Sequence, residues 1–119
     1  MDNKRILLID DDAELCGELA EILQDEGYVV QNTSDSVEGE RLIEQHEFDI
    51  ALFDFKISGM SGMDLLKKIK HKRPETKVFL ISGRPFLEKL LEEEKLSSLV
   101  AGIISKPFKI DILLEKIRS

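Results

Sequence analysis

Cysteine occurs once in the 119 residues, at Cys16, so no internal disulfide can form and the chain suits a reducing compartment. On the apolar face of a helical segment this lone thiol reads as packing material. No apolar run approaches the roughly 18 residues that a membrane span requires. Positive charge is also scarce: 17 Lys and Arg against 24 Asp and Glu leave a formal net charge of −7. That balance excludes nucleic acid as a direct partner, because such binding draws most of its affinity from cations on the protein; output to DNA would require another domain. Met1-Asp2-Asn3-Lys4-Arg5 runs straight into strand-like sequence, which leaves no place for a secretory signal and predicts a cytoplasmic protein. Linkers, low-complexity stretches and internal repeats are missing as well.

What remains is the composition of a soluble globular protein, 42% hydrophobic and 34% charged, at a length that suits one domain spanning 1–119. Strand and helix patterns alternate five times, the rhythm of βα units. Residues 5–9 read as a strand and 13–26 as a helix with Leu15, Leu19, Ile22 and Leu23 on one face, closed by Gly27. Tyr28-Val29-Val30 reads as a short strand, and Ser34 or Asp35 caps a helix carrying Val37, Leu42 and Ile43. Asp49 to Asp54 forms the third strand. A loop, Lys56-Ile57-Ser58-Gly59-Met60, follows, with a positive φ expected at Gly59, and then a helix from about Ser61 with Leu65, Leu66 and Ile69 inward. Lys77 to Ile81 is the fourth strand, Pro85 opens a helix carrying Phe86, Leu87, Leu90 and Leu91, and Val100 to Ile104 is the fifth strand. The last helix carries Ile110, Leu113, Leu114 and Ile117. Right-handed crossovers between such units predict an α/β fold: a doubly wound five-stranded parallel sheet of order 2-1-3-4-5, flavodoxin-like, with helices on both faces.

Three aspartates, Asp10, Asp11 and Asp12, directly follow the apolar run Ile6-Leu7-Leu8-Ile9, and Asp54 ends Ile50-Ala51-Leu52-Phe53. Carboxyl ends of strands in an open parallel sheet share one crevice, so these acids meet. At an effective dielectric near 20, two like charges about 4 Å apart repel by roughly 4 kcal/mol, which predicts a cation among them. Ser82 and Lys106 stand at the ends of the fourth and fifth strands, on the same rim. The run Lys67, Lys68, Lys70, Lys72 and Arg73 reads as a solvated helix end whose cations favour the dipole. His46 and His71, without a partner at metal spacing, read as exposed side chains.

In order along the chain, Ile9-Asp10-Asp11, Leu52-Phe53-Asp54 with Gly59-Met60 beyond it, Ile81-Ser82-Gly83 and Ser105-Lys106-Pro107-Phe108 resemble the receiver domains of two-component response regulators, and the likeness spans essentially the whole sequence. The resemblance implies that Asp54 accepts a phosphoryl group from a phosphohistidine on a sensor histidine kinase or histidine phosphotransfer protein, in a magnesium-dependent reaction. A carboxylate can serve as such a nucleophile, and the transfer needs mainly in-line positioning and charge neutralisation. By the same resemblance Mg2+ is held by Asp11, Asp54 and the backbone carbonyl of Lys56, with Asp10 acting through water. Lys106 pairs with one phosphoryl oxygen and the Ser82 hydroxyl donates to another. Asp12 lies just past the matched pair and reads as a helix N-cap. An effector domain or protein, and a homodimer, are further partners the resemblance allows; the chain is expected to transfer and slowly lose phosphate without being an enzyme in its own right.

Several positions depart from the family pattern. Ile103 stands where receivers usually carry a switch Tyr or Phe, Ala101-Gly102 replaces the usual small pair, and Glu92-Glu93-Glu94 makes the preceding helix unusually acidic. Lys56 and Arg84 place two long cations beside the site, which predicts shielding and slow hydrolysis of the phosphoryl group. Two other readings follow: a receiver that works as a docking scaffold without phosphorylation, which Ile103 keeps open and the intact acids, Ser82 and Lys106 argue against, and a phosphatase of the haloacid dehalogenase type, which the missing second acid in Asp54-Phe55-Lys56 disfavours.

Overall fold

The computed structural model describes residues 4–55, 62–83 and 87–118. Five parallel strands, β1 (Arg5–Ile9), β2 (Val29–Thr33), β3 (Ile50–Asp54), β4 (Lys77–Ser82) and β5 (Gly102–Ser105), alternate with α1 (Ala13–Asp25), α2 (Ser36–Gln45), α3 (Gly62–Lys72), α4 (Leu87–Glu93) and α5 (Ile110–Arg118). The strands lie in the order β2-β1-β3-β4-β5, the expected doubly wound arrangement.

Strand side chains alternate between faces, and two separate cores result. Leu7, Ile9, Ala51, Phe53, Val78 and Leu80 pack against Leu42 and Ile43 of α2, Leu65, Leu66 and Ile69 of α3, and Leu87 and Leu91 of α4. On the other face Ile6, Leu8, Ile50, Leu52, Phe79, Ile81 and Ile104 meet Cys16, Leu19 and Leu23 of α1 with Leu113, Leu114 and Ile117 of α5. With both faces covered, the central strands need continuous apolar runs. Cys16 belongs to the second core, and burial pushes its thiol pKa up, as packing material should behave.

Two glycines stand at close approaches between elements. A Cβ on Gly39 would collide with Cδ1 of the fully buried Ile9, so the glycine hydrogen lets α2 lie against β1 without moving that side chain. Gly102 faces Phe79 in register across β4 and β5, and the ring occupies the room beside the edge-strand glycine, a Cβ on which would stand 3.2 Å from a ring carbon. Gly27, at φ +98, turns the chain out of α1.

Local differences from expectation have local causes. Strand β2 begins one residue later than Tyr28 and runs on through Gln31-Asn32-Thr33; it is an edge strand, with Asn32 exposed and Gln31 and Thr33 half-buried, and its backbone pairs with β1. Val37 is 71% exposed instead of packed, because it occupies the first turn of α2, ahead of the face that meets the sheet. Between the two candidate caps the structure selects Asp35, whose Oδ1 accepts from the Val37 N–H at 3.2 Å. Val100 and Ala101 precede β5 instead of belonging to it, and a 3-10 turn at Ser97–Leu99 links it to α4. The basic end of α3 is more engaged than a solvated helix end: Lys68 pairs with Glu40, and Lys70 donates to the carbonyls of Pro74 at 3.2 Å and Thr76 at 2.5 Å. His46 is half-buried, its ring edge-on to Phe48. The loop 56–60, Ser61, Arg84, Pro85 and Phe86 lie outside the described residues, and with them the expectations for Gly59, Pro85 and Phe86.

Candidate functional site

Strand order places the site. β1 and β3 are neighbours with Ile9 opposite Phe53, so Asp10, immediately after β1, and Asp54, the last residue of β3, leave the sheet side by side. Asp10 stays in the ladder, its N–H donating to the Thr33 carbonyl at 3.3 Å, and this keeps its side chain inside the rim instead of in solvent.

One carboxylate oxygen from each of Asp10, Asp11 and Asp54 falls within 4.8 Å of the others. Their environments differ. Asp10 is fully buried and Asp54 is 8% exposed, whereas Asp11 is open to water. Both oxygens of Asp10 are engaged: Oδ1 accepts from the Asp12 N–H at 3.0 Å and Oδ2 from the Lys106 ammonium at 3.1 Å. The same ammonium is 3.5 Å from Oδ2 of Asp54. Burial alone would lower the lysine pKa, but its bonds and charge pairing with Asp10, with Asp54 adding to them, outweigh burial and raise it.

Asp12 turns away from this cluster. Its Oδ1 accepts from the Leu15 N–H at 3.1 Å and caps α1, as the sequence implied. Ser82 ends β4 and is buried, one position beyond Ile81, the partner of Asp54. Its carbonyl accepts the Lys106 N–H at 2.8 Å, which holds the lysine at the rim, and the Lys106–Pro107 bond that follows is cis. Lys56 and Arg84 lie outside the described residues.

The structure therefore brings Asp10, Asp11, Asp54 and Lys106 together, with Ser82 on the adjoining strand end. Two features were not foreseen. The Lys106 ammonium pairs with the carboxylates of both Asp10 and Asp54, and the Asp12 backbone N–H donates to the Asp10 carboxylate. The second could have been read from sequence, since an aspartate followed two residues later by a helix cap places that N–H within reach of its side chain. The first joins residues 96 positions apart, beyond any local signal.

Ile103, on the sheet face opposite the α1 and α5 core, is partly buried and lines a cavity of about 260 Å3 with Glu88, Leu91, Glu92, Ser97, Val100 and Gly102. It leaves open a space beside α4 that the usual aromatic residue could enter.

The family model described as the response regulator receiver domain matches residues 6–118. Sporulation initiation phosphotransferase F of Bacillus subtilis (strain 168) is 27% identical over 118 residues, covering 99% of this chain and 94% of that protein. The response regulator protein PmrA of Pseudomonas aeruginosa is 30% identical over 97% of this chain. The chain spans only about half of PmrA, 51%, and of the cell cycle response regulator CtrA of Brucella ovis, 49%. Among solved structures, a CheY-like receiver domain protein from Methanospirillum hungatei superposes with a TM-score of 0.89 at 36% identity, covering 98% of this chain and 92% of that one. TrrA from Thermotoga maritima, solved in complex with Mg(2+)-BeF, gives a TM-score of 0.82 at 26% identity, covering 97% and 96%.

Proposed function

We propose that this chain, which belongs to the response regulator receiver domain family, takes a phosphoryl group onto Asp54 from a phosphohistidine of a sensor kinase or phosphotransfer protein. The observation that carries this reading is the pairing of Asp54 with Lys106 inside a group of three carboxylates. In the transfer, a carboxylate oxygen of Asp54 forms the O–P bond as the N–P bond of the donor breaks, and the released electron pair stays on the imidazole nitrogen, which takes a proton. Lys106 exchanges its place between the acids for a phosphoryl oxygen, and Ser82 donates to a second. Phosphoryl transfer asks for little covalent chemistry beyond this, so the chain acts as a switch with self-catalysed transfer and slow loss of phosphate.

The donor set fits magnesium, a hard cation held by one or two carboxylates with phosphate and water. Asp11 and Asp54 are the candidate direct ligands, with the Lys56 carbonyl a third; Asp10, whose two oxygens already accept from Asp12 and Lys106, acts through water. Bound there, the ion would neutralise charge that develops on the equatorial phosphoryl oxygens. A phosphohistidine donor of this kind supports a cytoplasmic reading; among the described residues no helix is long and apolar enough to cross a membrane.

Beryllofluoride mimics the phosphoryl group and provides the test. Amide shifts around the rim on adding beryllofluoride with MgCl2, absent in Asp54→Asn and absent without the divalent ion, are expected. No response in the wild type would overturn the reading in favour of a receiver that docks partners without phosphorylation.

A further inference from the structure

Asp12 bonds through three of its atoms, one toward the rim and two into α1. Its N–H donates to Oδ1 of Asp10 at 3.0 Å, its carbonyl accepts from the Cys16 N–H at 2.9 Å, and its own Oδ1 accepts from the Leu15 N–H at 3.1 Å. The contacts continue into a ring. The Cys16 thiol lies 3.6 Å from the Thr33 carbonyl, and that carbonyl accepts the Asp10 N–H at 3.3 Å. Asp10, Asp12, Cys16 and Thr33 thus form a closed circuit that runs from the end of β1 through the start of α1 to the end of β2 and back.

Asp10 and Cys16 are buried and Thr33 half-buried, while Asp12 is the one exposed member of the circuit. The circuit therefore meets solvent at the residue whose side chain caps the helix. Both oxygens of the fully buried Asp10 carboxylate are held, one by the Asp12 N–H and the other by Lys106. Residue 12 stands in the extended backbone of a cap, at φ −81 and ψ 95, which aims its N–H at Asp10. Loss of the cap lets the first turn of α1 fray, and the N–H turns with it. The Asp10 carboxylate is then free to shift against Lys106 and against a cation on Asp11 and Asp54.

We propose that Asp12 is a positioning residue for the metal site: by capping α1 it keeps its own N–H on the Asp10 carboxylate and so sets the affinity of the rim for magnesium. This inference rests on the magnesium reading of the rim. The exposed Asp12 carboxylate acts through the cap and contributes little by its charge, which water and salt screen.

The whole chain is titrated with MgCl2 at about 0.15 M ionic strength, with binding followed by NMR at the amides of Asp11 and Asp54. Asp12→Ala should bind magnesium about three- to tenfold more weakly than wild type, the low end of what outer contacts to a metal site carry, because the N–H itself remains. Asp12→Asn and Asp12→Ser keep a capping oxygen without the charge and should bind within about twofold of wild type. Asp35→Ala removes the corresponding cap from α2. It should lower Tm by about 4 °C, as Asp12→Ala does, and leave magnesium affinity within about twofold. A second readout needs no metal: in EDTA the amide proton of residue 12 should move upfield in Asp12→Ala, having lost a charge-assisted bond to Asp10, and remain downfield in Asp12→Asn. An unmoved amide in Asp12→Ala overturns the inference by itself, as does a magnesium affinity equal to wild type. An equal loss in Asp12→Asn would assign the effect to charge and an equal loss in Asp35→Ala would assign it to stability; either result refutes positioning. No magnesium binding in the wild type would sink the metal reading together with the inference.

Discussion

Removing the charge of Lys106 should convert the rim from a balanced group into a repelling one. With an effective dielectric near 20, the ammonium at 3.1 Å from Asp10 and 3.5 Å from Asp54 contributes about 5 kcal/mol of attraction to each. The two carboxylates, with ligand oxygens no more than 4.8 Å apart, repel by about 3.5 kcal/mol or more. Lys106→Met deletes the first terms and keeps the last, with Asp10 fully buried. After desolvation offsets part of the lost attraction, a net loss of about 3–5 kcal/mol is expected, the usual result of stripping one partner from a buried pair. Urea denaturation at pH 7 in EDTA measures it. Adding Asp54→Asn to Lys106→Met should recover about 3 kcal/mol by removing the repulsion, and MgCl2 should stabilise Lys106→Met more than wild type, because a cation then meets acids with no internal counter-ion. A Lys106→Met variant within about 1 kcal/mol of wild type in EDTA, or equal stabilisation of both by magnesium, would refute the reasoning.

Titration of the same lysine has a direction. Its pKa is raised in the fold by the two acids, so the stability it contributes is complete below the ordinary lysine value and is lost as pH climbs through the folded value; unfolding followed above about pH 10 should show a fall that Lys106→Met lacks. Gly39→Ala gains about 1 kcal/mol of helix propensity but drives a methyl into Ile9, for a net loss of about 1–2 kcal/mol by thermal denaturation. Paired with Ile9→Val, which removes the clashing Cδ1, it should cost less than the sum of the single changes, and additivity would contradict the contact. Lys95 closes α4 at φ 59, where a side chain costs about 1–2 kcal/mol, so Lys95→Gly should raise Tm. Ile103→Phe should be tolerated within about 1.5 kcal/mol, since its ring can enter the adjoining cavity, and a larger loss would show the cavity is shielded by rigid walls.

Legibility in the sequence followed the range of the forces involved. Ile6 to Ile9 and Ile50 to Phe53 announced buried strands because burial on both faces demands uninterrupted apolar residues, and Asp12 could be read as a cap because a cap is satisfied within three residues. Gln31, Asn32 and Thr33 concealed the second half of β2, since an edge strand is held by backbone pairing that its side chains do not advertise. Val37 misled because helical periodicity fixes a face but not the turn at which the helix meets the sheet. The rim was visible as a set of residue types at strand ends; its internal pairing was not, because Lys106 chooses between carboxylates by distances that only the packed sheet defines.

The last rung between β4 and β5, from the Lys106 N–H to the Ser82 carbonyl, fastens that lysine at its backbone while its charged head sits on acids at the ends of β1 and β3. Four methylenes of slack separate the two attachments. The head can change partners while the rung stays closed, so the sheet is insulated from the exchange of counter-ions at its rim, and any strain passed outward must travel through shorter tethers such as the Ser82 side chain.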